Sequence, residues 1–151
     1  VSVGIGYDSH RFAEGRRLVL GGVEIDHPQG LAGHSDADVL THAVIDALLG
    51  AAGQGDLGTL FPDDDERWRD ADSIDLLRTA VGTVPGRIVN VDATVVCEQP
   101  RLAPHRAEIE RILAEVTSAR VSVKATTNEG MGWIGRGEGI ACIAVAFVEA
   151  G

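Results

Sequence analysis

The sequence has only two cysteines, Cys97 and Cys142, with no CxxC spacing between them, which argues against a zinc knuckle or a dithiol redox motif. Both lie in apolar, strand-like runs and are expected to be buried free thiols. No apolar run approaches the ~20 residues that span a bilayer. No basic segment precedes the apolar residues of VSVGIGYDSH at the N-terminus, so neither a secretory signal nor a transit peptide is expected, and the cytoplasm is the expected location. Basic charge is scarce as well: 13 Lys and Arg stand against 23 Asp and Glu, a net charge of −10. With no basic stripe to offset it, this balance argues against nucleic acid and anionic membranes as partners. It also means that a polyanionic substrate requires bound cations to reverse the local field. Internal repeats, low-complexity tracts and linkers are missing too. What is present is an ordinary globular composition, 44% hydrophobic and 24% charged in 151 residues, expected to form one domain, 1–151, with one core.

VSVGIGYDSH alternates as a strand does, and RLVLGGVEI reads as a hairpin turning at Gly21-Gly22. Val39, Leu40, Ala43, Val44, Ala47, Leu48 and Ala51 recur at helical spacing. Ser35 and Asp38 supply an S-x-x-D capping signature before them, and Gly53 stands near the helix end. The polar stretch GQGDLGTLFPDDDERWRDAD reads as a long loop, a kind of segment often functional in compact domains. A helix over 73–82 buries Ile74, Leu77, Ala80 and Val81. RIVNVDATVVC reads as a strand, Pro104 opens a helix with Ile109, Ile112, Leu113 and Val116 inward, and RVSVKAT alternates cleanly. GIACIAVAFVEA is apolar enough to predict a strand buried on both faces. The order β-β-α-α-β-α-β-β predicts an α+β fold, a mixed sheet with helices packed on one face.

Asp8 and His10 are two apart on a strand and therefore share a face. His42 lies on the first helix with Asp38 and Asp46 four residues away on either side, placed to orient its second ring nitrogen or simply to solvate an exposed face. Two imidazoles and a carboxylate suit zinc and leave a position open for a substrate oxygen. His34-Ser35 stands at the expected helix start, where free N–H groups favour phosphate, although a plain cap explains Ser35 equally well. Adjacency does not make His34, Ser35 and Asp36 a hydrolase triad, which needs converging side chains. GMGWIG at 130–135 fits G-x-G-x-x-G, but a strand-like run follows it instead of a helix, so a dinucleotide site is rejected. Thr126, Thr127 and Glu129 offer hard oxygen donors for phosphate and Mg²⁺.

YDSHRF, GGVEI, LAGHSDADVLTHAVIDALLGAAGQGDLGTLFPDDD, VVCEQPRLAPH and KATTNEGMGWIGRGEGIAC together resemble the 2-C-methyl-D-erythritol 2,4-cyclodiphosphate synthase family over essentially the whole chain. The resemblance implies a homotrimer with active sites between subunits, in which Asp8, His10 and His42 hold zinc or another divalent metal. His34 and Thr127 then fall at positions that stabilise the transition state, Ser35 at a phosphate contact, and Ser9 beside the metal ligands in the substrate site. Asp56, Leu57 and Gly58 would hold the ribose, and Phe61, Pro62, Asp63, Asp64 and Asp65 would cover the methylerythritol. A neighbouring subunit would contribute Cys97, Glu98, Gln99, Pro100, Arg101, Leu102 and Ala103. With Thr126, Thr127, Asn128 and Glu129, these would receive cytosine and diphosphate, Glu129 binding Mg²⁺ or Mn²⁺. Trp133 and Arg136 would line a cavity on the threefold axis, with an isoprenoid diphosphate as a candidate ligand. Arg101 stands where the family often has lysine, Asn128-Glu129-Gly130 where it has Thr-Glu-Lys, and Trp133 where it has phenylalanine.

The implied reaction, in non-mevalonate isoprenoid biosynthesis, needs no enzyme nucleophile. A phosphate monoester has its second pKa near ~6, so the 2-phosphate of 4-diphosphocytidyl-2-C-methyl-D-erythritol 2-phosphate is largely a dianion at neutral pH. Two other readings stay open: a metal phosphohydrolase that admits water to the same centre, and a trimeric metal- or isoprenoid-diphosphate-binding module without turnover.

Overall fold

The alternating N-terminal segment forms β1, Ser2–Ala13, in the computed structural model, which describes residues 1–150. β2 (Leu18–Leu20) and β3 (Val23–Ile25) make the expected hairpin. Gly21 and Gly22 turn it at φ 58° and 79°, a region that L side chains rarely adopt. β4 (Gly30–Leu31) pairs with the end of β1. α1 spans Val39–Ala51. The polar stretch after it is not all loop: it holds a one-turn helix α2 (Leu57–Leu60) and a 3-10 turn at Glu66–Trp68. α3 (Ser73–Thr83) and β5 (Arg87–Val96) follow. A 3-10 turn at Ala103–His105 leads into α4 (Arg106–Thr117), then come β6 (Arg120–Thr126), the single turn α5 (Gly132–Gly135) and β7 (Gly139–Glu149).

The main sheet has the order β4-β1-β7-β5-β6. Its β5–β6 pair is parallel and its other pairs are antiparallel, so the expected mixed α+β sheet is what forms. Helices cover one face. α1 lies against β1 and β7 with nearly every side chain from Val39 to Leu49 buried, as befits a helix apolar on most sides. Two glycines of β1 let it come so close: a Cβ on Gly4 would lie 2.0 Å from the Ala47 carbonyl oxygen and one on Gly6 1.9 Å from that of Ala43.

The other face of the sheet differs from expectation at β7. The strand was predicted to be buried on both sides, yet Ile143 and Val145 are 42% and 38% exposed, beside Val3, Ile5 and Tyr7 of β1 at 65%, 69% and 56%. From Cys142 onward only the helix-facing set, Cys142, Ala144, Ala146 and Val148, is buried. Among the described residues no helix is long and apolar enough to cross a membrane.

Candidate active site

Asp8 and His10 occupy the same face of β1 as Gly6, toward α1, and His42 meets them from that helix. Asp8 Oδ2 lies 2.8 Å from His10 Nε2 and 3.2 Å from His42 Nδ1, and the two nitrogens are 3.4 Å apart. All three ligand atoms fall within 4.8 Å of one another. The far side of each ring is anchored. His10 Nδ1 donates to the Ala32 carbonyl at 2.7 Å, which leaves Nε2 to face Asp8, as an N–H donor in the protonated ring and as a lone pair in the neutral one. His42 Nε2 lies 2.8 Å from Ser73 Oγ and 3.1 Å from Ser35 Oγ. Burial alone would raise the Asp8 pKa, but hydrogen bonds and positive charge from His10 and His42 outweigh it and bring the carboxyl to about 2. Burial would likewise lower His10, and Asp8 with the Ala32 carbonyl reverses the direction and raises it. A carboxylate and two inward-facing imidazole nitrogens fit zinc or a similar divalent ion with a free coordination position. Asp8 and His10 are only half-buried, so that position opens outward.

Several neighbours play other parts than the spacing suggested. Asp38, not Ser35, caps α1: it is fully buried, accepts from Thr41 N–H at 3.0 Å and takes the N–H groups of Gly21 and Gly22 at 2.9 and 2.8 Å. It therefore ties the hairpin to the helix and neither orients His42 nor solvates an open face. Desolvation, with Asp36 nearby, raises its pKa. Asp46 accepts from Leu57 N–H at 2.7 Å and so brings α2 beside the metal ligands. Ser35 sits four residues before the helix, its Oγ accepting from Ala37 N–H at 3.1 Å. The groups that hold the outer nitrogen of His42 are Ser35 and Ser73. Nothing in the sequence marked Ser73, which lies 31 positions away.

A cavity of about 300 Å³ opens over the three ligands. His34 and Ser35 line one side, with His34 Nε2 donating to the Asp65 carbonyl at 3.2 Å. Asp56, Leu57 and Gly58 line another. Asp56 caps α2, and hydrogen bonds from Thr59 hold its carboxyl below the usual range. Phe61 is buried edge-to-face on Trp68, ring centroids 4.9 Å apart, and both reach the cavity with Asp63. Pro62 and Asp64 are exposed beside it, and Asp65 turns away to pair with Arg67 at 2.6 Å. Asp8, Asp46, Asp56 and Asp63 make this cavity acidic.

The remaining expected residues form a second group. Cys97 N–H donates to the Thr126 carbonyl at 3.1 Å, and the Glu98 carboxylate accepts from Asn128 N–H at 2.7 Å and Gly130 N–H at 3.0 Å. These bonds join the turn after β5, with its cis Gln99-Pro100 bond, to the turn after β6 that carries Thr127 and Glu129. Arg101 and Ala103 are exposed there, and Leu102 is buried. None of this group lines the metal cavity. Asp8, Cys142, Val95 and Ala125 stand in one cross-strand row, so three strand spacings, roughly 14 Å, separate the halves within one chain. Ser9 points to the opposite face of β1 from Asp8 and lines a different recess with Trp133, while Arg136 pairs with Glu138 at 2.6 Å. α5 is a single turn running into β7, in keeping with the rejection of a dinucleotide fingerprint there.

Residues 1–149 match the family described as YgbB. The chain belongs to the YgbB family. A relative from Syntrophomonas wolfei is 57% identical over 97% of this chain and 98% of its own length, and one from Rubrobacter xylanophilus is 59% identical over 97% and 94%. Both are named 2-C-methyl-D-erythritol 2,4-cyclodiphosphate synthase. The fold matches the bifunctional IspDF of Campylobacter jejuni at a TM-score of 0.92 and 40% identity, covering 96% of this chain and 41% of that one. A Plasmodium falciparum IspF in complex with CDP matches at 0.83 and 32% identity, over 99% and 97%.

Proposed function

We propose that this YgbB-family chain is an enzyme converting 4-diphosphocytidyl-2-C-methyl-D-erythritol 2-phosphate into 2-C-methyl-D-erythritol 2,4-cyclodiphosphate and CMP, in non-mevalonate isoprenoid biosynthesis. The observation that carries this reading is the convergence of Asp8, His10 and His42 beneath an acidic cavity, in a chain whose relatives bear that enzyme's name. An oxygen of the substrate's 2-phosphate forms a bond to the β-phosphorus, the bond from that phosphorus to the bridging oxygen breaks, and CMP leaves with the electron pair. Asp8, His10 and His42 would hold zinc, and Glu129 Mg²⁺ or Mn²⁺, and bound there these ions would supply the positive charge that the acidic residues lack. His34, tethered to the Asp65 carbonyl, and Thr127 stabilise the phosphoryl oxygens as charge shifts in the transition state. Ser35 orients a phosphate. Asp56, Leu57 and Gly58 hold the ribose, the 61–65 segment shields the methylerythritol from water, and the 97–103 and 126–129 turns receive cytosine and diphosphate. Alignment of the two phosphates is the main catalytic task.

The reading includes a cytoplasmic homotrimer of single-domain subunits, residues 1–151. The exposed apolar face of β1 and β7 supports it, because a patch holding Val3, Ile5, Tyr7, Ile143 and Val145 calls for a partner. So does the separation of the metal and cytidine halves, which a cyclic assembly reunites across each interface. Trp133 and Arg136 then face the threefold axis.

Mass spectrometry of the products formed from the cytidyl substrate and Mg²⁺ tests the reaction. Cyclic diphosphate and CMP are expected, and a linear phosphate product in their place would make the protein a hydrolase. Mixed trimers test the shared site: chains with His42→Ala and chains with Arg101→Glu and Ala103→Asp, each inactive alone, should regain a minority of the wild-type rate when co-refolded. Verified mixed trimers with no recovery would place the site within one chain.

A further inference from the structure

The hydrogen bonds behind His42 have a direction, and the direction starts at Asp36. Ser73 is fully buried at the first turn of α3. Its hydroxyl donates to Asp36 Oδ1, while its backbone N–H donates to Asp36 Oδ2 at 3.0 Å. The carboxylate is held from the other side by Asp38 N–H at 3.1 Å. An ionised carboxylate only accepts, so the one proton of the Ser73 hydroxyl is committed to Asp36. The Ser73 oxygen therefore meets His42 Nε2, 2.8 Å away, as an acceptor. That places the imidazole proton on Nε2 and the lone pair on Nδ1, the nitrogen facing Asp8 and His10.

We propose that Asp36 and Ser73 are positioning residues that set the tautomer and ring orientation of His42, so that its Nδ1 is presented as a metal donor. Ser35 is the lesser partner: its Oγ is farther from Nε2, at 3.1 Å, and already accepts from Ala37 N–H. The relay also joins the start of α3 to a centre otherwise built from β1 and α1. Outer hydrogen bonds of this kind commonly change metal affinity by ~10- to 100-fold.

The inference rests on the reading of Asp8, His10 and His42 as a zinc site, and the test separates the two. Zinc dissociation constants are measured by chelator competition on the full chain, with solvent exchange of the His42 Nε2–H followed by ¹⁵N-edited NMR in the zinc-loaded protein. If the unaltered chain takes up no zinc, the metal reading itself fails. If it binds, Ser73→Ala is expected to weaken zinc by ~10-fold or more and to speed exchange of the Nε2–H, with Ser35→Ala having the smaller effect on both. Asp36→Asn, which keeps Ser73 but frees its proton, should also speed that exchange. Should Ser73→Ala not fold, Asp36→Asn decides by the same readouts. A folded Ser73→Ala or Asp36→Asn with unchanged zinc affinity and unchanged exchange, or a larger effect from Ser35→Ala, overturns the proposal.

Discussion

Replacing Gly6 by alanine inserts one methyl group where the backbone of α1 already lies. Its carbon would stand 1.9 Å from the Ala43 carbonyl oxygen, 2.7 Å from Ala47 N and 2.9 Å from Ala43 C. All three are main-chain atoms, so no rotamer change relieves the clash. To restore contact at 3.4 Å the helix must retreat from β1 by ~1.5 Å. Overpacking of a dense core costs about 1–3 kcal/mol, and a forced shift of a central helix belongs at the upper end. At ~3 kcal/mol the melting temperature falls by about 6–12 °C for a chain of this size. The site suffers with the fold, because Gly6 is two residues before Asp8, Ala43 follows His42, and metal–ligand distances tolerate only about 0.2 Å. The assay is thermal unfolding with and without zinc, where a bound metal normally raises the midpoint; both the midpoint and that increment should fall. Gly50→Ala is the control on the same helix, since its nearest neighbours lie at 3.8 Å, and removing a helical glycine should leave stability equal or better by about 0.5–1 kcal/mol. A Gly6→Ala protein that melts within about 2 °C of the parent and keeps its zinc increment would refute the close-packing argument.

His42→Ala is expected to leave the fold intact but abolish stoichiometric zinc and reduce turnover by ~10³-fold or more, since two ligands do not make a stable site; elemental analysis and steady-state rates check this. Glu129→Gln should weaken the Mg²⁺ requirement without removing zinc, because an amide is a poorer ligand for a hard cation, and an unchanged Mg²⁺ titration would reduce Glu129 to a residue ending a turn. Burial, aided by Glu98, raises the Cys97 thiol from 9.0 to about 11, so its alkylation should be slow at pH 8. Because the folded state holds this proton more tightly, the associated stability is complete below pH 9 and lost between pH 9 and about 11, roughly 2–3 kcal/mol in all. Chemical denaturation across that range should show a flatter decline for Cys97→Ser.

The hairpin at Gly21-Gly22, the bounds of α3 and the pairing of Asp8 with His10 were legible because each depends on a local period or turn preference. The role of Asp38 was not. As a neighbour four positions before His42 it looks like part of a helical stripe, but the helix begins at Val39. A capping residue folds its carboxylate back onto the first-turn N–H groups instead of along the helix face. Here the second oxygen goes to a hairpin 16 residues earlier, a tertiary choice with no periodic trace. Ser73 is hidden for the same reason: its local signature is that of a helix start, and Asp72 supplies the actual cap.

β7 shows a different limit, and it bears on assembly. An unbroken apolar strand has the same sequence whether its second face is covered by helices or by another copy of the chain, since burial alone selects the residues. The long helices α1, α3 and α4 lie on one side, so the run GIACIAVAFVEA and the odd positions of β1 are more apolar than a solvated sheet face requires. In the proposed trimer that surplus would serve as the interface. If the patch at Val3, Ile5, Tyr7, Ile143 and Val145 packs around a threefold axis, the metal half of each chain meets the 97–103 turn of a neighbour, and the same residues that close the oligomer also complete the site.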